Sequence, residues 1–328
     1  MTFSDVLDIR NGRNQRQVEN ENGKYPIYGS GGVMGRATDF ICDAGTVVIG
    51  RKGSINNPIF VDEPFWNVDT AFGLVAHRDM LLPKYLFYFC VNFDFERLNT
   101  TVTIPSLTKA NLLQIEINVP DMDEQRCVVS ILDKICQLID LQQQELHNLD
   151  QLVKSRFIEL FGDPETNPKG WTRQRLDQIC ENLDSRRVPI TSTNRKAGNY
   201  PYYGASGIVD YVKDYIFDED ILLISEDGAN LVMRSTPIAF SVSGKVWVNN
   251  HAHVVRFESK ATQKYIEICF ALTDISGSIT GTAQPKLNQA KLNAMMFCVP
   301  PIELQDQFAT FVEQTDKSKL CGKMEVAA

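Results

Sequence analysis

The chain has 328 residues, 43% of them hydrophobic and 23% charged, which is the size of two ordinary domains with the make-up of a soluble globular protein. No apolar run approaches the roughly 20 residues needed to cross a bilayer, and the opening "MTFSDVLDIRNGRNQ" lacks an apolar signal core, so membrane and secreted classes are set aside. The net charge of −8 argues against a protein that coats DNA by bulk positive charge.

The eight cysteines (Cys42, Cys90, Cys127, Cys136, Cys180, Cys269, Cys298 and Cys321) are scattered without a C-x-x-C pair. That spacing disfavours a zinc ribbon and suits a reduced, cytoplasmic setting. Residues 1–120 carry 11 basic and 13 acidic side chains, residues 161–300 carry 15 of each, and 121–160 carry 4 basic and 8 acidic. The acidity therefore sits partly on the middle segment, and near-neutral globular parts can still present a basic face. One locally basic stretch is "NLDSRRVPITSTNRK", 182–196.

Along residues 1–120, short β-branched runs such as "TVVIG" and "FGLVA" alternate with Gly, Asn and Asp turns and predict strands. "PKYLFYFCVNF" predicts a helix, and a strand ending "INVP" closes the domain. From about Asp123 to Phe161 follows a long helix of roughly 55 Å at 1.5 Å per residue. Its heptad seam runs through Leu132, Ile135, Ile139, Leu146, Leu149, Val153 and Leu160, with polar breaks at Gln142 and Arg156. Gly162 and Pro164 stop it.

Residues 162–300 repeat the first domain at offsets of 173 to 181 residues. Phe3 and Val6 match Leu176 and Ile179, "YPIYGSGG" (25–32) matches "YPYYGASG" (200–207), and Gly53 matches Gly228. Trp66 matches Trp247, Pro105-Ser-Leu107 matches Pro285-Lys-Leu287, and Gln125 matches Gln305. "ILLIS", "HVVRF", "TQKYIEICFALT" and "FCVP" repeat the strand and helix grammar, so the fold class is α+β, twice over. A second long helix begins after Pro300, but "LCGKMEVAA" carries no heptad. That helix is expected to be truncated, shorter than the first by roughly 20 to 30 residues, through either a shortened chain or a shifted reading frame.

Two variable α+β domains, each followed by a long helix, resemble the specificity subunit of type I restriction-modification systems. The paired "YPIYGSGG"/"YPYYGASG", the "NVP"/"CVP" helix starts with their Gln, and the joint "LFGDPETNPKGW" (160–171) carry the resemblance over nearly the whole chain. It implies target-recognition domains at 1–120 and 162–300, a spacer helix at 121–161 and the start of a second at 301–328. It further implies antiparallel pairing of the helices and a bipartite duplex-DNA target. The implied partners are two methylation subunits and the restriction subunits, which hold the S-adenosylmethionine, ATP and magnesium, while this chain has no catalytic site of its own. A shortened second helix would put that helix pairing in doubt. The rival readings are an inactive or phase-variable copy and a stand-alone DNA-modifying enzyme. Against the latter stand the lack of a G-x-G-x-x-G followed by a helix, of an N-P-P-Y-like tetrapeptide and of a triad spacing.

The glycines of "YPIYGSGG" invite a phosphate-loop reading, but "VMGRATDF" after them is not helical and the echo keeps only Gly204 and Gly207, so a tight turn near DNA is favoured. His251 and His253 would share one side of a strand; a packed or DNA-facing pair is favoured over metal. "RKGS" (51–54) aligns with "EDGA" (226–229), inverting charge, which fits either two solvated turns or side chains reading different bases. DNA-facing candidates in the first domain are Tyr25, Tyr28, Ser30, Arg36, Arg51, Lys52, Ser54, Asn56 and Lys109. In the second they are Arg186, Arg187, Tyr200, Tyr203, Ser206, Lys213, Glu226, Asp227, Asn230, Arg234 and Lys286.

Overall fold

A computed structural model describes residues 1–99, 105–281 and 284–327, with side chains through Leu320. The chain divides into two compact units, Met1–Leu141 and Gln142–Ala328. The boundary differs from the expected four-part division, because it falls inside the long helix.

The first unit runs α1 (Phe3–Val6), β1 (Leu7–Asn11), β2 (Tyr25–Gly29), β3 (Gly32–Ala37), β4 (Thr46–Gly50), β5 (Ile59–Val61), β6 (Trp66–Asn67), β7 (Ala71–Ala76), α2 (Pro83–Asn92), α3 (Lys109–Leu113) and α4 (Met122–Phe161). The second opens with β8 (Arg173–Arg175), α5 (Leu176–Ile179), β9 (Glu181–Asn182), β10 (Ala197–Gly204), β11 (Gly207–Val212), β12 (Phe217–Asp218) and β13 (Ile221–Ser225). It continues through α6 (Asn230–Met233), β14 (Ala239–Val242), β15 (Lys245–Val248), β16 (Ala252–Arg256), α7 (Lys260–Leu272), α8 (Gln289–Ala294), β17 (Met296–Cys298) and α9 (Ile302–Ala327).

The repeat reappears as topology. An antiparallel sheet ordered β1-β7-β4-β5 in the first unit corresponds to β9-β16-β13-β14 in the second. A second sheet ordered β3-β2-β6 corresponds to β11-β10-β15, to which β12 is added. In both copies a tyrosine-bearing strand lies parallel to the tryptophan strand, with Ile27 opposite Trp66 and Tyr202 opposite Trp247. β4 and β13 are central in their sheets and buried at every position, which is why "TVVIG" and "ILLIS" read as continuous apolar runs instead of alternating ones. α3 and α8 share a cap as well: Thr108 Oγ1 accepts from the Asn111 N–H (3.2 Å) and Asn288 Oδ1 from the Lys291 N–H (2.9 Å).

Three expectations change. The strand expected to end in "INVP" forms only an isolated bridge, Thr2 to Glu116, whereas "FCVP" pairs as β17 with β8. The partners differ: β17 faces the three-residue strand Arg173–Arg175, and the first-copy segment bonds Met1 and Phe3 around the Thr2 bridge. α9 continues through the residues expected to end it and has 26 residues against 40 in α4, a difference of 14 and not 20 to 30. The seam of α4 is also displaced. Ile135 and Ile139 are exposed at 46% and 38%, while the buried apolar positions are Val153, Phe157 and Phe161, spaced by four. Leu132, Leu146, Leu149 and Leu160 are half-buried.

Phe157 stacks on Tyr265 at 5.2 Å between ring centroids and meets Phe308 of α9 edge-on at 5.5 Å. Lys319 bonds Asp150 at 2.7 Å, so α9 runs antiparallel to this half of α4. At its start α4 is fixed by Gln125, which accepts from the Leu82 N–H and donates to the Met80 and Pro120 carbonyls (2.8, 2.9 and 2.9 Å). Asp133 bonds both Lys84 and Tyr88, which lie one turn apart on α2, at 2.7 and 2.6 Å. At its end Gly162, at φ +78°, closes the helix on the Ile158 carbonyl (2.8 Å), and a Cβ there would lie 2.6 Å from Pro168.

Phe157→Ala removes a fully buried ring shared by α4, α7 and α9. It is expected to destabilise the second unit by about 3–5 kcal/mol, read as a lower denaturant midpoint, with Ile135→Ala on the exposed face shifting it far less.

Candidate nucleic-acid interface

"YPIYGSGG" is a hairpin. Gly29 pairs with Gly32 across the two-residue turn Ser30-Gly31, and Gly204 pairs with Gly207 across Ala205-Ser206. Gly32 and Gly207 sit at φ +118° and +125°, which a side chain would strain, so the turn reading holds and the phosphate-loop reading does not. Tyr25 packs on Phe40, Tyr28 on Phe65, Tyr200 on Tyr215 and Tyr203 on Phe240. These tyrosines stiffen the hairpins by packing.

Against each hairpin turn lies the loop that leaves the central strand. A Cβ on Gly50 would meet Ser30 at 3.0 Å, and in the second copy the Ser225 hydroxyl donates to the Ala205 carbonyl. Both loops are held by the same main-chain bonds. Arg51 N–H donates to the Thr70 carbonyl (2.8 Å), Gly53 N–H to Pro105 (3.1 Å), and the Arg51 carbonyl accepts from Leu107 N–H (2.9 Å). Their equivalents are Glu226 to His251 (2.9 Å), Gly228 to Pro285 (3.1 Å) and Leu287 to Glu226 (2.8 Å). Gly53 and Gly228 both take positive φ, +83° and +103°.

The side chains on these identical frames differ. In the first unit Arg51 lies over the Phe72 ring at 5.7 Å and, among the described residues, has no carboxylate partner. Beside it, Lys109 Nζ donates to the Ile9 carbonyl (3.0 Å), and an open pocket of about 350 Å³ is lined by Asn11, Arg51, Phe72, Ser106, Thr108 and Lys109. Lys52, Gly53 and Ser54 are exposed beside it.

In the second unit the same place is filled. Glu226 bonds Arg187 at 2.6 Å and Lys286 at 3.0 Å, and Arg187 also reaches Asp184 at 3.3 Å. His253, buried, sets Nε2 against the Leu287 carbonyl at 2.7 Å and Nδ1 against Asp184 at 2.6 Å. Each ring nitrogen thus faces an acceptor. Burial would raise the Asp184 and Glu226 carboxyls. The His253 hydrogen bond at Asp184, and the Arg187 and Lys286 bonds at Glu226, outweigh it and hold both below the ordinary carboxylate range.

Two expectations change here. Glu226 and Arg187, taken as DNA-facing, face each other inside the domain. His253 does gather carboxylates, with Asp184 and Glu226 ligand atoms within 4.8 Å of one another, yet the positive charge answering them comes from Arg187 and Lys286. His253 is the packed partner of the pair, while His251 is exposed and bonds Asp227 at 2.9 Å. Sequence separation hid this cluster, since Asp184 and His253 lie 69 residues apart.

Several other candidates do structural work. Arg36 donates to the Gly23 and Lys24 carbonyls (2.6 and 2.8 Å), and Asn56 joins Asp94 and the Phe95 N–H. Asn230 closes its own loop on Thr236 (3.0 Å), and Arg234, at φ +51°, donates to the Phe270 and Thr273 carbonyls. Arg186 pairs with Glu219 at 2.7 Å over the Phe217 ring. Ser30 and Ser206 occupy the hairpin turns, while Lys213 and Ser206 are exposed.

A family model for the type I restriction modification DNA specificity domain matches residues 1–151 and 168–322. The chain belongs to that family. The two segments matched by the specificity-domain model fall one on each α+β repeat. Among curated relatives, a Haemophilus influenzae sequence named as a type I restriction enzyme specificity subunit is 32% identical over 42% of this chain, which spans only 35% of that relative. The EcoprrI specificity subunit of Escherichia coli is 24% identical over 96% of this chain and 87% of its own length. The solved S subunit of a type I restriction-modification system from M. genitalium superposes with a TM-score of 0.65 at 17% identity, covering 100% of this chain and 91% of that one. The α+β fold with two recognition domains is thus that of the specificity subunits. Among the described residues no helix is long and apolar enough to cross a membrane.

Asp184→Asn breaks a buried cluster and leaves Arg187 and His253 short of a partner, an expected loss of about 3 kcal/mol at neutral pH. Because the two folded carboxyls titrate below their unfolded values of 3.8 and 4.5, their contribution is complete above that range and lost as pH falls through it. Melting temperature against pH checks this: Asp184→Asn should flatten the acid limb.

Proposed function

We propose that the chain is the DNA-reading subunit of a type I restriction-modification complex. Each domain reads one half of a bipartite duplex target, and α4 separates the halves by a fixed number of unread base pairs. Two methylation subunits and the restriction subunits carry out the chemistry, with S-adenosylmethionine, ATP and magnesium bound on them; this chain contributes recognition and no catalysis, in the cytoplasm. The observation that carries the reading is the duplicated loop-and-hairpin frame, fixed by its backbone in both copies and bearing opposite charges at Arg51 and Glu226. Such a frame suits a family that changes what it reads without changing its fold, since base contacts specify and phosphate contacts position.

The helix makes the separation testable. Deleting residues 134–140 removes one heptad, about 10 Å of helix, while sparing Gln125 and Asp133 at one end and Val153, Phe157 and Phe161 at the other. Methylation mapping in cells that also express the partner subunits is expected to show both half-targets kept and the unread gap shortened by about three base pairs, at 3.4 Å per step. An unchanged gap would sink the ruler.

A further inference from the structure

The equivalent place is an open cationic pocket in the first domain and a filled, internally neutralised cluster in the second, and the difference follows from six equivalent positions. Asn11, Arg51, Phe72, Ser106, Thr108 and Lys109 of the first domain correspond to Asp184, Glu226, His253, Lys286, Asn288 and Gln289 of the second. The register supports the match: Asn11 stands opposite Phe72 across β1 and β7, and Asp184 stands against His253 of β16. The remaining pairs share their backbone bonds, Arg51 to Leu107 and Glu226 to Leu287.

In the second domain every charge at these positions is answered from within. Glu226 is taken by Arg187 and Lys286, and Asp184 by His253 and Arg187. In the first domain the counter-charges are missing: the carboxylate positions are Asn11 and Arg51, and the lining holds two cations and no acid. The lining is a set of donors. Arg51 offers its guanidinium and Lys109 its ammonium, and Thr108 Oγ1 already accepts from Asn111, which leaves its O–H to donate. Asn11 and Ser106 add an amide and a hydroxyl.

We infer that this pocket seats one phosphodiester of the duplex, held jointly by Arg51 and Lys109, and that the second domain has no counterpart to it. The inference rests on the DNA-reading role proposed above and refines it. A tetrahedral anion uses several converging donors at once, whereas a guanine edge needs only two coplanar ones. Arg51 is also tethered over Phe72 at the pocket wall, and Phe72 is buried in the domain core. The first domain then supplies a fixed electrostatic anchor, and the second docks with the equivalent charges already paired internally.

The test is a salt titration of the full chain binding a random-sequence duplex. Neutralising one phosphate contributes about 0.9 to the slope of log K against log salt, so R51Q/K109Q should lower the slope by about that amount. Q289A at the equivalent second-domain position should leave it unchanged, and R51K/K109R should keep it. The pocket assignment is overturned if the slope of R51Q/K109Q matches the unsubstituted chain while melting temperature is retained. It is equally overturned if the preferred sequence changes at constant slope, since that would make Arg51 a base reader. If the unsubstituted chain binds no duplex at all, the DNA-reading role itself fails, a result distinct from failure of the pocket.

Discussion

The loops that leave the central strands are held by their main chains. In both domains the loop after the central strand is clamped between the returning strand and the segment before the short capped helix by equivalent N–H to carbonyl bonds, and it turns through a glycine with positive φ. A main-chain clamp places few demands on side chains. Position 51 can therefore be arginine while its equivalent, 226, is glutamate, with no change in the path of the loop. Everything else at the interface, the hairpin turn beside the loop and the pocket beneath it, takes its position from this clamp.

The same frame has been given two kinds of interior. In the second domain a buried histidine, two carboxylates and two cations neutralise one another, an arrangement that costs desolvation and is sensitive to losing any member. In the first domain Phe72, Asn11, Arg51 and Ser106 take the places of His253, Asp184, Glu226 and Lys286, and the cations Arg51 and Lys109 face outward. Charge totals do not reveal this asymmetry, because both domains are near neutral; it lies in which charges are already spoken for.

Local patterns were legible in the sequence, and long-range pairings were not. The echoed Tyr-Pro and Tyr-Gly pairs located both hairpins, the apolar runs "TVVIG" and "ILLIS" located the central strands, and Gly162 located the helix end. The charge inversion between Arg51 and Glu226 singled out two loops that hold equivalent places in their domains. What Glu226 does there could not be read, because its partners arrive from 39 and 60 residues away along the chain. The α4 seam was legible only in part, at Val153 and the half-buried leucines, for a different reason. A strict heptad selects Val153, Arg156 and Leu160, but against a globular core the buried positions follow steps of four, Val153, Phe157 and Phe161, which bury two rings that the heptad leaves out.

Those two rings carry a consequence for how such chains are rebuilt. Phe157 and Phe161 lie in the same buried cluster as Leu222, Ile266 and Phe308. One face of the far half of the helix thus belongs to the core of the second domain, although the sequence presents it as a linker. A second domain cut away at Gly162 would leave behind part of its own hydrophobic centre. A graft that trades one recognition domain for another must carry residues 142–161 with it, so the natural seam for shuffling lies midway along the helix.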